Sequence, residues 1–364
     1  MKQAQIFGVA ACAAALAAAA CGGGPTSNPS SPATSAHHDS LTNLRHGAIT
    51  EYIIPRPDKR PRAFPIGITT GPGGKLWFAE RGVGELGQIK MGGEVTGQFK
   101  IKGKARFPQN VVTGPDGNLW ATTGSIHKYR KEAHGAPDKY GAVISMTPAG
   151  VTTTHVFDLQ MYSDPRDIAL GPDANIWFTE SRGAIGKITL GTSGDDTLTE
   201  FPTPNDNGAF GIAVGPDGAL WFCEPFNRRI NKIGRITTSG TITTFPFPKN
   251  TGPVHVVAGP DENLYVTERF VAKVAQVTTA GVITKEFDLS IGSAPEGIAL
   301  GADGNLYVTE FHAGRIAEVN LHTGVVTEFD IPTPQSRPWD IIGGPDGNIW
   351  FTESGSGKIG RLWV

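Results

Sequence analysis

From about residue 48 to the C-terminus, apolar and polar positions alternate in short runs that turn residues cut off. GIAVGP, ALWFCE, KIGRIT and TITTFPFP, between Gly211 and Pro248, are one example. A period of two puts successive side chains on opposite faces of a strand, so each run predicts a β-strand with one face in a core. The runs recur as a set. Seven copies of one phrase stand at GPGGKLWFAE from Gly71, GPDGNLWATT from Gly114, GPDANIWFTE from Gly171, GPDGALWFCE from Gly215, GPDENLYVTE from Gly259, GADGNLYVTE from Gly301 and GPDGNIWFTE from Gly344. Their spacings are 43, 57, 44, 44, 42 and 43 residues. A period in the forties marks a repeat architecture in which each unit buries its apolar face only against its neighbours.

Each unit carries four strand-like runs, with Asp-Gly or its equivalent closing the first hairpin. Four strands in each of seven units predict an all-β fold, a seven-bladed β-propeller of four-stranded blades. The chain ends at KIGRLWV, one strand short, while AITEYIIPRP (Ala48 to Pro57) matches the last strand of other units. The N-terminal strand is therefore expected to complete the last blade and close the ring, which removes an open edge.

Composition agrees. With 48 Gly and 27 Pro in 364 residues, helix breakers are too frequent for a helical bundle, while 39% hydrophobic residues suffice for a core. A net charge of -2 argues against a nucleic-acid partner. Cys12 and Cys21 lie close to the N-terminus and leave Cys223 alone, so no disulfide framework is present.

Residues 1–20 have one Lys, an Ala-rich apolar stretch and Ala18-Ala19-Ala20, which reads as a secretory signal. Cys21 follows, then a Gly/Pro/Ser-rich tether over 21–47. A lipoprotein anchored at Cys21 is expected, periplasmic or on the cell surface, with the propeller over 48–364 and the membrane touched only through the lipid. Cleavage after Ala20 without lipidation is the alternative.

Phrases of the type GPDGxLWFTE, NKIGRIT and ITEFPIPTP over Ala48 to Val364 resemble the virginiamycin B lyase (streptogramin lyase) family. The resemblance implies a propeller enzyme that opens a cyclic depsipeptide ester by magnesium-assisted elimination. It also implies catalytic His residues in an RPHAI phrase entering the sixth blade and an EPHGI phrase, which adds a Glu, entering the seventh. The corresponding phrases here are APEGI and RPWDI, so Glu296 and Trp339 occupy the His positions and Arg337 the Glu position. A further family Glu falls near Glu353 or Ser354.

In such a blade the first strand begins, and the second ends, on one face of the disc. The residue entering the first strand varies from blade to blade: Ile66, Gln109, Arg166, Phe210, Val254, Glu296 and Trp339. Variation inside a repeated frame is what a site on a symmetric scaffold should show, although unconstrained loops vary too. Gln109, Arg166, Phe210 and Trp339 are the candidate ligand contacts, with Trp339 able to stack on a ligand ring. The other repeat tryptophans, Trp77, Trp120, Trp177, Trp221 and Trp350, read as core.

The second strand ends in a carboxylate at Glu80, Glu180, Glu224, Glu268, Glu310 and Glu353. Glu268 and Glu310 are candidate ligands for Mg²⁺, while a structural role in every blade explains the series equally. His255, Glu296 and His312 form, with those two, a candidate base and acid cluster on blades 5 and 6. An insertion from Gly124 to Tyr140, between the second and third strands of blade 2, carries Lys128 and Arg130. With the segments around Arg56 and Lys100 it holds 12 of the 32 basic residues, which favours an anionic peptide, glycan or small-molecule ligand.

Three readings follow for what is expected to be a monomer. The first is a lyase with Glu296 as base and Mg²⁺ held by carboxylates. The second is an extracytoplasmic binding or scaffold propeller that breaks no bond. The third is a metal-dependent lactone hydrolase, as in gluconolactonase-type propellers.

Overall fold

A computed structural model of the chain describes residues 46–56, 63–102, 107–124, 140–161, 163–192, 194–204, 208–227 and 230–364. The signal, Cys21, Lys128 and Arg130 lie outside the described residues. Among the described residues no helix is long and apolar enough to cross a membrane.

Seven four-stranded antiparallel sheets follow one another around a ring. Blade 1 is typical, with strands Pro65–Gly71, Lys75–Glu80, Glu85–Ile89 and Val95–Lys100 running outward in chain order. The innermost strands of the blades touch in sequence, 1 to 2 through 6 to 7 and 7 back to 1. Blade 7 takes Pro338–Gly343, Ile349–Glu353 and Lys358–Leu362 from the C-terminus, and Ile49–Ile53 as its outermost strand. Ile49 pairs with Leu362 and Ile53 with Lys358, so the ring closes as the sequence predicts.

The repeated phrase has a physical reading. In GPDGNIW, the Asp346 carboxylate caps its own turn by accepting from the Asn348 amide at 3.3 Å, and also accepts from the Trp350 indole N–H at 3.0 Å. Asp173 with Trp177, and Asp217 with Trp221, repeat the indole bond, and in blades 5 and 6 Tyr265 and Tyr307 donate through their hydroxyls to Asp261 and Asp303. A buried aromatic with a polar tip thus finds its partner four residues upstream. Blade 1 has Gly73 where the others have Asp, and the buried Trp77 N–H has no hydrogen-bond partner among the described residues.

The same aromatics tie the second strand to the fourth. Trp77 stacks on Phe99, Trp177 on Phe201 and Trp221 on Phe245, with centroids 5.3, 5.7 and 5.4 Å apart. In blade 7 the N-terminal strand supplies this partner, Tyr52, at 5.4 Å from Trp350. Cys223 is buried in the blade 4 core, with no disulfide among the described residues.

Candidate functional site

In six of the seven blades the first strand enters the ring through a proline and then breaks register, blade 4 having Ala209 at that place. In blades 1, 3, 5, 6 and 7 pairing skips from that proline to the apolar residue three positions on, as from Pro338 to Ile341. The two bulged residues have lost their ladder bonds, and bulges re-aim side chains in this way at functional edges. Threonines of the second strands replace the lost bonds. Thr309 accepts from the Gly297 amide at 2.9 Å in its own blade and donates to the Trp339 carbonyl of the next at 2.8 Å. Thr122, Thr179, Thr267 and Thr352 donate likewise to the carbonyls of Arg166, Phe210, Glu296 and Ile66. The backbone of five of the seven variable positions is therefore fixed by a threonine while its side chain is free to differ; blades 1 and 4 have Ala79 and Cys223 in place of the threonine.

All seven variable positions line one cavity of about 500 Å³ at the centre of the ring. The next residue of each pair forms a second layer in which a polar side chain of one blade leans on the backbone of its neighbour. Asp340 accepts from the Ile68 amide at 2.9 Å, and Asp167 from the Ile212 amide at 2.8 Å. Gly67 and Gly211 stand beside these amides, and at Gly211 a Cβ would collide with the backbone and ring of His255. Asn110 donates to Asp167 at 2.5 Å. Burial and the neighbouring Asp167 charge push the Asp340 carboxyl up to about 7.

His255 belongs to this layer. Its Nδ1 lies 3.2 Å from the Glu296 carbonyl oxygen, which can only accept, so Nδ1 carries the proton and Nε2 the lone pair. Burial lowers its pKa, which keeps the ring neutral. Glu296 is fully buried, and its carboxylate is ion-paired with Arg269. His255 and Glu296 therefore meet at the cavity, but His312 does not join them. It is exposed, it is not part of the cavity lining, and its amide is bonded to the Ser293 carbonyl.

Trp339 is half-buried, packs against the core cluster containing Ile66, and meets Phe311 edge-on at 5.4 Å. Phe210 lies beneath the Arg166 guanidinium, 5.2 Å from its ring centre, and Arg166 pairs with Asp164 at 2.9 Å. Gln109 is 7% exposed, and its Nε2 has no hydrogen-bond partner among the described residues.

Among the cavity residues that escaped the sequence reading are Asp164, Asp167 and Asp340 and three arginines, Arg81, Arg182 and Arg269. Arg81 and Arg269 directly follow the repeated glutamate, in AER and TER, and Arg182 follows it by two, in ESR. A basic residue after the glutamate in three blades was the available signal, masked because strand-end charges are ordinarily solvent-facing. Arg269 is pushed down to about 10 by burial and by the Arg166 charge, so these two guanidiniums feel each other.

The repeated glutamates are elsewhere. None lines the cavity, and Glu80, Glu180, Glu268, Glu310 and Glu353 are buried inside their own blades. Glu268 and Glu310 are raised to about 7, chiefly by burial, with Glu286 and Glu328 adding repulsion. Glu268 and Glu310, the candidate Mg²⁺ ligands, are thus each enclosed in a separate sheet and stand apart from the cavity. Arg56 is likewise turned inward onto Glu80 and Glu85 and adds nothing to a cationic rim. Among the described residues no group of three His, Cys, Asp or Glu is arranged to hold a metal. Of the cavity carboxylates, Asp164 and Glu296 pair with arginines and Asp167 and Asp340 accept from backbone amides, while both Glu296 oxygens, the Gln109 Nε2 and the Arg166 Nε lack a hydrogen-bond partner among the described residues.

The virginiamycin B lyase family model matches residues 33–131 and 134–364. Among solved structures, a streptogramin B lyase is 27% identical over 86% of this chain and 96% of its own, with a TM-score of 0.71. Virginiamycin B lyase from Staphylococcus aureus is 29% identical over 86% of this chain and 98% of its own, also at 0.71. Hydrazine synthase from Kuenenia stuttgartiensis, 16% identical with a TM-score of 0.66 over 85% of this chain and 97% of its own, shares the fold alone. No curated protein matches the sequence.

Proposed function

The chain belongs to the virginiamycin B lyase family, and we propose that it is an exported, lipid-anchored propeller that binds a small ligand in its central cavity without breaking a bond. The observation that carries this reading is the state of Glu296. This residue stands where the family resemblance implies a histidine base, but its carboxylate is fully buried and held by Arg269. A general base takes up the proton it removes, and doing so here would break the ion pair to Arg269. Trp339 occupies the other implied histidine position and has no basic atom.

One observation favours the lyase reading instead. His255 is neutral, lines the cavity and keeps the lone pair on Nε2, which is the form a base requires.

The test is incubation of the full chain with a type B streptogramin, followed by chromatography and tandem mass spectrometry. Elimination opens the ring at unchanged mass, and hydrolysis adds one water. The binding reading expects an untouched ring from folded protein. A ring-opened isomer that disappears in a His255→Ala variant overturns it in favour of the lyase.

A further inference from the structure

The cavity has two unlike walls. Arg166 and Arg182 come from blade 3, Phe210 from blade 4 and Arg269 from blade 5, so three of the four cavity arginines stand on one arc of the ring. In a closed ring of seven, blade 4 faces the junction of blades 7 and 1, where Trp339 and Ile66 supply an apolar wall packed on a common core cluster. Arg81 stands apart on blade 1.

Asp164, Asp167 and Glu296 stand among the arginines of that arc, but they leave two buried donors of the wall without an acceptor. Each guanidinium carries five N–H groups in a planar fork. Arg166 pairs with Asp164 and Arg269 with Glu296, yet the Nε of Arg166 is buried with no partner among the described residues. Beside it, the more than nine-tenths buried Gln109 also has an unpartnered Nε2. Buried donors left unmade are costly, and a group that only accepts satisfies several at once. The deeper carboxylates do not serve, because Asp167 and Asp340 are committed to backbone amides.

We infer that the ligand is an amphipathic acid, whose carboxylate sits on Arg166, Arg269 and Gln109 and whose flat apolar part lies against Trp339 and Ile66. This deepens the binding reading above and rests on it.

The test uses naphthalene-2-carboxylate and its neutral isostere naphthalene-2-carboxamide as probes, titrated calorimetrically into the full chain. The acid should bind about tenfold or more tightly than the amide, as charge-assisted hydrogen bonds to arginine exceed neutral ones. That gap should shrink as salt rises. It should close in Arg166→Gln and in the paired variant Arg269→Gln/Glu296→Gln, which leaves no buried charge alone and so keeps the test valid if Arg269→Gln by itself does not fold. Trp339→Ala should weaken acid and amide together. Equal affinities for the two probes, a gap that survives both arginine variants, or binding of neither probe overturns the inference. Failure of the binding reading itself is seen separately, as ring opening in the streptogramin assay.

Discussion

Thr309 and Trp339 lie in different blades, yet the Thr309 hydroxyl is 2.8 Å from the Trp339 carbonyl and takes the amide of Gly297 at 2.9 Å on its other side. One hydroxyl thus replaces a ladder bond lost at a bulge and fastens the next blade's cavity residue. Because the bond reaches only the backbone, evolution of the side chain at that position leaves the frame intact. Thr309→Val keeps the shape and removes both bonds. The buried amide and carbonyl left behind should cost about 1–3 kcal/mol, read as a lower melting temperature. The Trp339-dependent affinity for naphthalene-2-carboxylate should fall with it.

Closure of the ring rests on a strand from the opposite end of the chain, and Tyr52 is its anchor. Its ring stacks on the buried Trp350 at 5.4 Å, with planes 18° apart. Tyr52→Ala should destabilise by about 2–4 kcal/mol through lost burial and stacking, whereas Tyr52→Phe should be close to neutral. Thermal unfolding checks both. Limited proteolysis should cut the N-terminal strand of the Ala variant before any other part of the propeller.

The fold was legible because its signals are local and repeat. An Asp that caps a turn and holds a Trp four residues later leaves the same letters in blade after blade, and the missing C-terminal strand reappears as AITEYI. The variable residues at the cavity were also legible, as irregularities in a regular frame. What the letters could not show was direction. Glu268 and Glu296 are both strand-end carboxylates in sequence, but a bulge turns Glu296 toward the cavity while Glu268 stays paired inside its sheet. Arg269 was hidden for a related reason, since only the closed ring brings it from blade 5 to Glu296 of blade 6 and near Arg166 of blade 3.

The enclosed glutamates make stability depend on pH. Glu353 is raised to about 8 and Glu310 to about 7, largely by burial, while their neighbours Glu51 and Glu328 are lowered in part by hydrogen bonds from them. In each pair the inner carboxyl is therefore the one that holds a proton more readily. A raised carboxyl keeps its proton in the folded chain where the unfolded chain, near the ordinary 4.5, has already released it. The folded state then binds more protons, so stability is greatest on the acid side of this window and falls as pH rises from about 4.5 through 8. The melting temperature should be lower at pH 9 than at pH 6. Glu353→Gln, which can still donate to Glu51, should recover on the order of 1–3 kcal/mol of that loss. A pH profile of Glu353→Gln that parallels the wild type would remove Glu353 from the account.

Glu296 is, on this reading, an internal stand-in for the ligand's carboxylate. It lies fully buried against Arg269 at the wall where an incoming acid would bind, so the two negative groups compete for one guanidinium. Glu296→Gln preserves volume and one acceptor but removes the charge. Arg269 is then left without its counterion, which should lower stability by about 1–3 kcal/mol, moderated because the arginine is 29% exposed. The same change should raise the affinity for naphthalene-2-carboxylate about three- to tenfold and leave the carboxamide untouched, since only an anion gains from the released charge. Calorimetry on both probes separates the effects. A variant that instead loses affinity for the acid would mean that Glu296 orients Arg269 rather than competing for it, and the carboxylate would then have to rest on Arg166 and Gln109.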